Sequence, residues 1–183
     1  MKILVTGGAG YIGSHAVAQL LDQGYEVVVV DNLSTGHRWA IDERAPFIKG
    51  DIRNHRLMDE IFEGEKIDAV MQFAADIVVA ESETDPLKYY DNNVYGTVAL
   101  LQSMIKHNVK NIIFSSTAAV YGNTEAVTVT EDIPVNPISP YGRTKAIVEQ
   151  ILEDCHKAYR SEEHTSELQS PLTISYDVVS LKS

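Results

Sequence analysis

The chain has 183 residues, a single cysteine, and 15 Lys and Arg against 26 Asp and Glu, for a formal charge of −11. This length suits one compact domain rather than two full ones, the acidic balance argues against a nucleic-acid partner, and a lone Cys155 excludes an internal disulfide framework, a cysteine-rich zinc site and an iron–sulfur cluster. No apolar run approaches the ~20 residues of a membrane span and the N-terminus does not read as a signal peptide, so a cytoplasmic protein without membrane contact is expected.

Residues 2–6 are a short apolar run ending in glycines and predict a buried strand. From Tyr11 the period changes: Ile12, Ala16 and Leu20, with Val17 and Leu21 beside them, predict a helix that Gly24 ends. Glu26, four valines and Asp31 predict a second strand buried on both faces, and strand, turn, helix and strand together make a βαβ unit. Pro46 to Lys49 predicts a short strand. Asn54 caps a helix with Leu57, Ile61 and Phe62 on one face, and Ile67 to Phe73 is another strand. Asp85-Pro86 opens a long helix with Val94, Val98, Leu101 and Ile105 as its stripe. Asn111 to Ser115 is the fifth strand, residues 123–139 form a proline-bearing loop, and Ser139-Pro140 opens a last helix in which Tyr141, Lys145 and Glu149 stand four apart. The expected fold is an α/β, Rossmann-like doubly wound parallel sheet. After Tyr159 the apolar period is lost. The segment RSEEHTSELQS resembles the translation of a sequencing adapter, so residues 1–159 are expected to be the dinucleotide-binding domain and residues 160–183 a non-native or disordered tail.

Gly7, Gly10 and Gly13 lie between the first strand and the first helix, spaced by three. The first permits the tight turn, the second lets backbone approach a diphosphate, and the third allows close helix packing. Asp31 ends the next strand, where a carboxylate accepts the ribose hydroxyls and repels a 2′-phosphate, which favours NAD. Tyr141 and Lys145 share a helix face one turn apart. An ammonium nearby, with the positive nicotinamide ring, would favour the phenolate and make Tyr141 a general base. The hydroxyls of Ser115, Ser116 and Thr117 end the fifth strand, on the side of the sheet where ligands bind. The six histidines lack metal-ligand spacing and no metal is expected.

The stretches TGGAGYIGSH, VVVVDNLSTGH, GDIRN, FAAD, DPLKYYDNNVYGT, NIIFSSTAAVYG and SPYGRTKAIVEQIL resemble the extended short-chain dehydrogenase/reductase family over residues 1–159. The resemblance implies NAD as cofactor, with Tyr11 and Ile12 cradling the diphosphate and Asp31, Asn32, Leu33, Ser34, Thr35 and Gly36 around the adenosine ribose. It further implies Asp51 and Ile52 at the adenine, Phe73, Ala74, Ala75, Asp76 and Ile77 along the nicotinamide half, and Asn92 touching the cofactor. Thr117, Tyr141 and Lys145 would be the catalytic set and touch the cofactor, Lys145 at the nicotinamide ribose, while Thr117 and Tyr141 also contact the sugar, Thr117 on its 4′-hydroxyl and Tyr141 exchanging its proton. The implied reaction is epimerisation at carbon 4 of a UDP-sugar, glucose to galactose, through a 4-keto intermediate. The implied assembly is a homodimer through helices around residues 86–107 and 140–159. Gln72 and Ile77 depart from residues common in the family. The chain is also expected to stop before the last strands and the substrate domain. Ala118 and Ala119 follow Thr117 where dehydratases carry an acid pair, which favours epimerisation or simple redox; another sugar-nucleotide epimerase or dehydratase, a related decarboxylase or reductase, or a non-catalytic NAD-binding module stays open.

Overall fold

The apolar runs of the sequence stack into one sheet in the computed structural model, which describes residues 1–123, 128–130 and 132–160. The strands are β1 (Lys2–Thr6), β2 (Glu26–Asp31), β3 (Phe47–Lys49), β4 (Ala69–Gln72) and β5 (Asn111–Phe114). All four pairings are parallel, in the order β3-β2-β1-β4-β5. The order reverses between β1 and β4, and the loops leaving those two strands open the crevice where such sheets hold ligands.

Helices cover both faces. Ile3, Val5, Val27 and Val29 pack against Val17 of α1 (Tyr11–Asp22) on one side. Leu4, Val28, Val30, Val70 and Ile112 meet α2 (His55–Glu65), α5 (Gly96–Lys106) and α6 (Pro140–Arg160) on the other. The helix ends follow the sequence. Gly24 takes φ +83° just past α1 and donates its N–H to Leu21 O. Asn54 accepts from Leu57 N–H, Asp85 from Lys88 N–H and Ser139 from Gly142 N–H.

Four expectations are corrected. The stripe Val94, Val98, Leu101 and Ile105 does not face the core as a set. Ile105 is 40% exposed, and the buried face carries Asn93, Thr97, Leu100, Leu101 and Met104. Small and hydrogen-bonded polar residues pack there, and a search for apolar period passes over them. The single helix from Pro86 is three segments: α4 (Pro86–Tyr89), a π turn (Tyr90–Tyr95) and α5. Ile12 is 48% exposed rather than a core residue, because it stands at the open N-terminus of α1. A short helix, α3 (Val79–Thr84), and 3-10 turns at Arg38–Ala40 and Ala118–Tyr121 were not foreseen. The last helix runs through Arg160, and the rest of the expected tail, like residues 124–127 and 131 of the expected loop, lies outside the described residues. Among the described residues no helix is long and apolar enough to cross a membrane.

Candidate functional site

The glycine turn is built to a tolerance that a methyl group would violate. Gly7 has φ +74°, and a Cβ there would lie 2.5 Å from Ala74 N, so the loops after β1 and β4 touch at the switch point. A Cβ on Gly13 would lie 2.3 Å from Gly7 O, so Gly13 serves close approach to the turn itself rather than to the sheet. A Cβ on Gly10 would meet only Gly7 O, at 3.3 Å. Ser14 N–H makes the first helical bond, to Gly10 O. The N–H groups of Tyr11, Ile12 and Gly13 therefore precede the ladder and face outward with the positive end of the helix dipole. Tyr11 is 74% exposed. This cradle fits a diphosphate.

Asp31 is buried at the end of β2 and accepts from Ala9 N–H at 2.9 Å and Leu33 N–H at 2.7 Å. It thereby ties the glycine turn to the loop Asn32–Gly36, where Leu33 holds φ +60°. Gly36 closes on the same turn, since a Cβ there would lie 2.8 Å from Ala9. Asn32, Ser34 and Thr35 are exposed along this loop. Asp51 is reached by Asn32 Nδ2 at 3.4 Å and forked by Arg53, whose guanidinium holds its carboxyl down at about 2. Arg53 also bonds Asp91 on the π turn. Ile52 is buried beneath them and touches the space a Cβ on Gly96 would fill, at 3.0 Å.

Beyond β4, Phe73, Ala74, Ala75 and Asp76 are half-buried and Ile77 is exposed. Gln72 is 1% exposed and bonds the Thr6 hydroxyl, Ala74 O and the Thr97 hydroxyl, so the glutamine is a structural tie at this position. Burial pushes the Asp76 carboxyl up, while Lys88, Asn92 and Arg53 favour its charge. Asn92 is half-buried and faces this loop through that contact.

The three residues expected to be catalytic, Thr117, Tyr141 and Lys145, lie at the end of β5 and the start of α6. Tyr141 is 8% exposed, and the half-buried Thr117 hydroxyl favours its phenolate form. Lys145 is 4% exposed; its Nζ donates to Ser115 O at 2.9 Å and lies 4.7 Å from the Phe114 ring centroid. Burial pulls this lysine down to about 8, partly countered by the Glu149 charge. The expectation that the nearby ammonium favours the phenolate is corrected for this state. Burial raises the Tyr141 pKa and the Thr117 hydrogen bond lowers it, with burial the larger effect. Lys145 points to the strand end, and spacing in a sequence does not reveal that aim.

Two buried side chains that sequence reasoning passed over hold this geometry. Ser82 of α3, 0% exposed, accepts from Tyr141 N–H at 3.1 Å and donates to Val79 O at 2.6 Å. It thus caps α6 from outside. Asn93 accepts from Asp76 N–H at 2.8 Å and donates to Asp76 O at 3.0 Å and the Thr144 hydroxyl at 3.2 Å. It clips the loop after β4 to α6. A polar residue set four before Thr97, itself four before Leu101, is the signal that could have found it. Among the described residues no group of His, Cys, Asp and Glu could hold a metal ion.

Comparison with known proteins adds three findings. The profile of the NAD dependent epimerase/dehydratase family matches residues 3–165. A curated UDP-glucose 4-epimerase of Lactobacillus helveticus is 55% identical over 158 residues, 86% of this chain and 48% of that protein. Among solved structures, the UDP-glucose 4-epimerase of Brucella ovis in complex with NAD superposes with a TM-score of 0.84 at 46% identity, over 87% of this chain and 49% of that one. The Bifidobacterium longum enzyme in complex with NAD+ and UDP gives 0.84 at 43% identity, over 86% and 50%. The chain spans about half the length of the curated relatives it matches.

Proposed function

The chain belongs to the NAD dependent epimerase/dehydratase family, and from that membership we propose that its parent protein is an NAD-dependent enzyme interconverting UDP-glucose and UDP-galactose by epimerisation at carbon 4. The observation that carries the reading is the buried Tyr141 phenol, favoured toward its phenolate by the Thr117 hydroxyl, with Lys145 buried one helical turn away and docked on Ser115 O. The relatives named UDP-glucose 4-epimerase supply the sugar.

The residues fit the cofactor. The N–H groups of Tyr11, Ile12 and Gly13 suit the diphosphate, Asp31 and the loop through Gly36 the adenosine ribose, and Asp51 and Ile52 the adenine. Phe73 through Ile77, with Asn92, suit the nicotinamide half. Held there, NAD would supply a reversible hydride acceptor for carbon 4 of the sugar. Thr117 orients the 4′-hydroxyl, and Tyr141 takes its proton and later gives it back. Lys145 holds a positive charge one turn from Tyr141, and with the cofactor in place that charge lowers the cost of the phenolate. Ala118 and Ala119 at the strand end offer no acid–base pair for eliminating water, which supports epimerisation over dehydration. We further place the protein in the cytoplasm, consistent with its single cysteine, as a homodimer through the helices at 86–106 and 140–160.

The test is a coupled assay with UDP-galactose on the full-length protein carrying this segment. Tyr141→Phe should lower kcat by about 10²–10⁴-fold with NAD still bound. Wild-type protein without turnover, or Tyr141→Phe at the wild-type rate, would defeat the reading.

A further inference from the structure

Three consecutive residues at the end of β5 each bond a different turn of α6. Thr117 meets Tyr141 through its hydroxyl, Ser115 O accepts from Lys145 Nζ at 2.9 Å, and the Ser116 hydroxyl donates to the Glu149 carboxylate. Positions 141, 145 and 149 stack on one helix face. The first two contacts belong to the proposed catalytic set, and the third has no role so far. Glu149 is half-buried, and this bond joins it to a neutral hydroxyl, so its full charge is left to act on its surroundings. One turn away lies Lys145, enclosed by Phe114 and the strand end.

We propose that Glu149 is a positioning residue for the reaction: pinned by Ser116, its carboxylate keeps the buried Lys145 ammonium charged and docked on Ser115, so that Tyr141 always has a cation one turn away. Burial alone works against that charge, and Glu149 opposes it. Of the other charged groups on elements packed against α6, Glu83 of α3 is exposed to solvent and two more are held in ion pairs. Glu81 of α3 pairs with Lys88 of α4, and Asp91 of the π turn pairs with Arg53. Burial pushes the phenols of Tyr89 and Tyr141 up, so both stay neutral near pH 7. β5 contributes no ionisable side chain.

The inference rests on Tyr141 and Lys145 being the working pair, yet the lysine titration needs no turnover, so the two ideas fail separately. The experiment compares wild type, Glu149→Gln and Ser116→Ala in the full-length protein. The Lys145 midpoint is followed by NMR of lysine labelled at Cε, assigned with Lys145→Met, and kcat/KM for UDP-galactose is followed against pH. Glu149→Gln keeps an acceptor for Ser116 and removes the charge. Its Lys145 midpoint should fall by about one unit, and the alkaline limb of kcat/KM should move down with it, while kcat at acid pH stays within about twofold. Ser116→Ala should shift both in the same direction by less, because the charge remains and only its pin is lost. A wild-type midpoint in either folded variant overturns the proposal, as does a loss of kcat/KM by one factor at every pH. If Glu149→Gln does not fold, Ser116→Ala decides alone. A wild type without turnover leaves the titration as the test and defeats only the proposed reaction.

Discussion

At the scale of single residues, the site is held at a cost to stability, and Lys145 carries most of it. Its pKa lies at about 8 in the fold against 10.5 in an exposed chain, with burial as the cause. Between those values the unfolded chain binds more protons, so stability rises with pH across that window, and below it the cost stands in full. The shift corresponds to about 3 kcal/mol at most. Lys145→Met removes the buried charge but leaves Ser115 O unpaired, which gives back about 1–2 kcal/mol. In the NAD-free protein it should raise unfolding stability by about 1–2 kcal/mol at pH 7, with the gain fading toward pH 10, while turnover collapses. Urea titrations at pH 7 and pH 9.5 check this; a destabilised variant, or a gain that does not change with pH, contradicts it. The sequence disclosed that Tyr and Lys share a face, because a spacing of four fixes that on any helix. It did not disclose the state of the phenol, because burial is made by Ser82, Thr117 and Tyr89, which come from three other segments of the chain.

At the scale of elements, the strands and helix ends were legible, since β-branched runs and capping residues act locally. The segment from Pro86 to Lys106 was legible only as helix. Its π turn inserts an extra residue in a turn, a device that occurs often at functional sites, and here it brings Asn92 and Asn93 to different groups of Asp76, the carboxyl and the backbone. Asn92 is half-buried and faces Asp76, whereas Asn93 is 3% exposed and bonds the Asp76 backbone on both sides as well as Thr144. The two should separate on mutation. Asn93→Ala leaves the half-buried Asp76 N–H and C=O without their partner, while the Thr144 hydroxyl keeps its bond to Tyr141 O, so it should cost about 1–3 kcal/mol and weaken NAD binding as the loop after β4 comes loose from α6. Asn92→Ala should cost under about 1 kcal/mol and still weaken NAD binding. Chemical unfolding and calorimetric NAD titration read the two effects apart, and equal stability losses would remove the clip from the account.

At the scale of the whole molecule, the order of strands follows from connection rules that the βαβ pattern already carried, and right-handed crossovers leave few alternatives. What the pattern could not carry is which sheet surface is covered. Val5, Met71 and Ile113 are register neighbours on the α1 face, buried fully, half-buried and 38% exposed in that order. The cover given by α1 thus fades toward β5, which among the described residues is also a sheet edge with no strand on its outer side. Against this apolar edge stands the charge of −11, which opposes non-specific association through it at neutral pH. The two opposing terms predict a definite solution behaviour for this chain. Association should grow with added salt, which screens the charge, and as pH falls toward the sequence pI of about 4.9. Ile113→Lys places a charge on that exposed position, a common protection of edge strands. It should reduce association at pH 7 in 0.3 M salt by severalfold and cost under about 1 kcal/mol in stability, because the isoleucine is only partly buried. Light scattering across salt and pH, with wild type and variant side by side, decides it. Association that is insensitive to salt, or unchanged by Ile113→Lys, would mean that copies meet through another surface, with the helices at 86–106 and 140–160 the next to test by the same measurement.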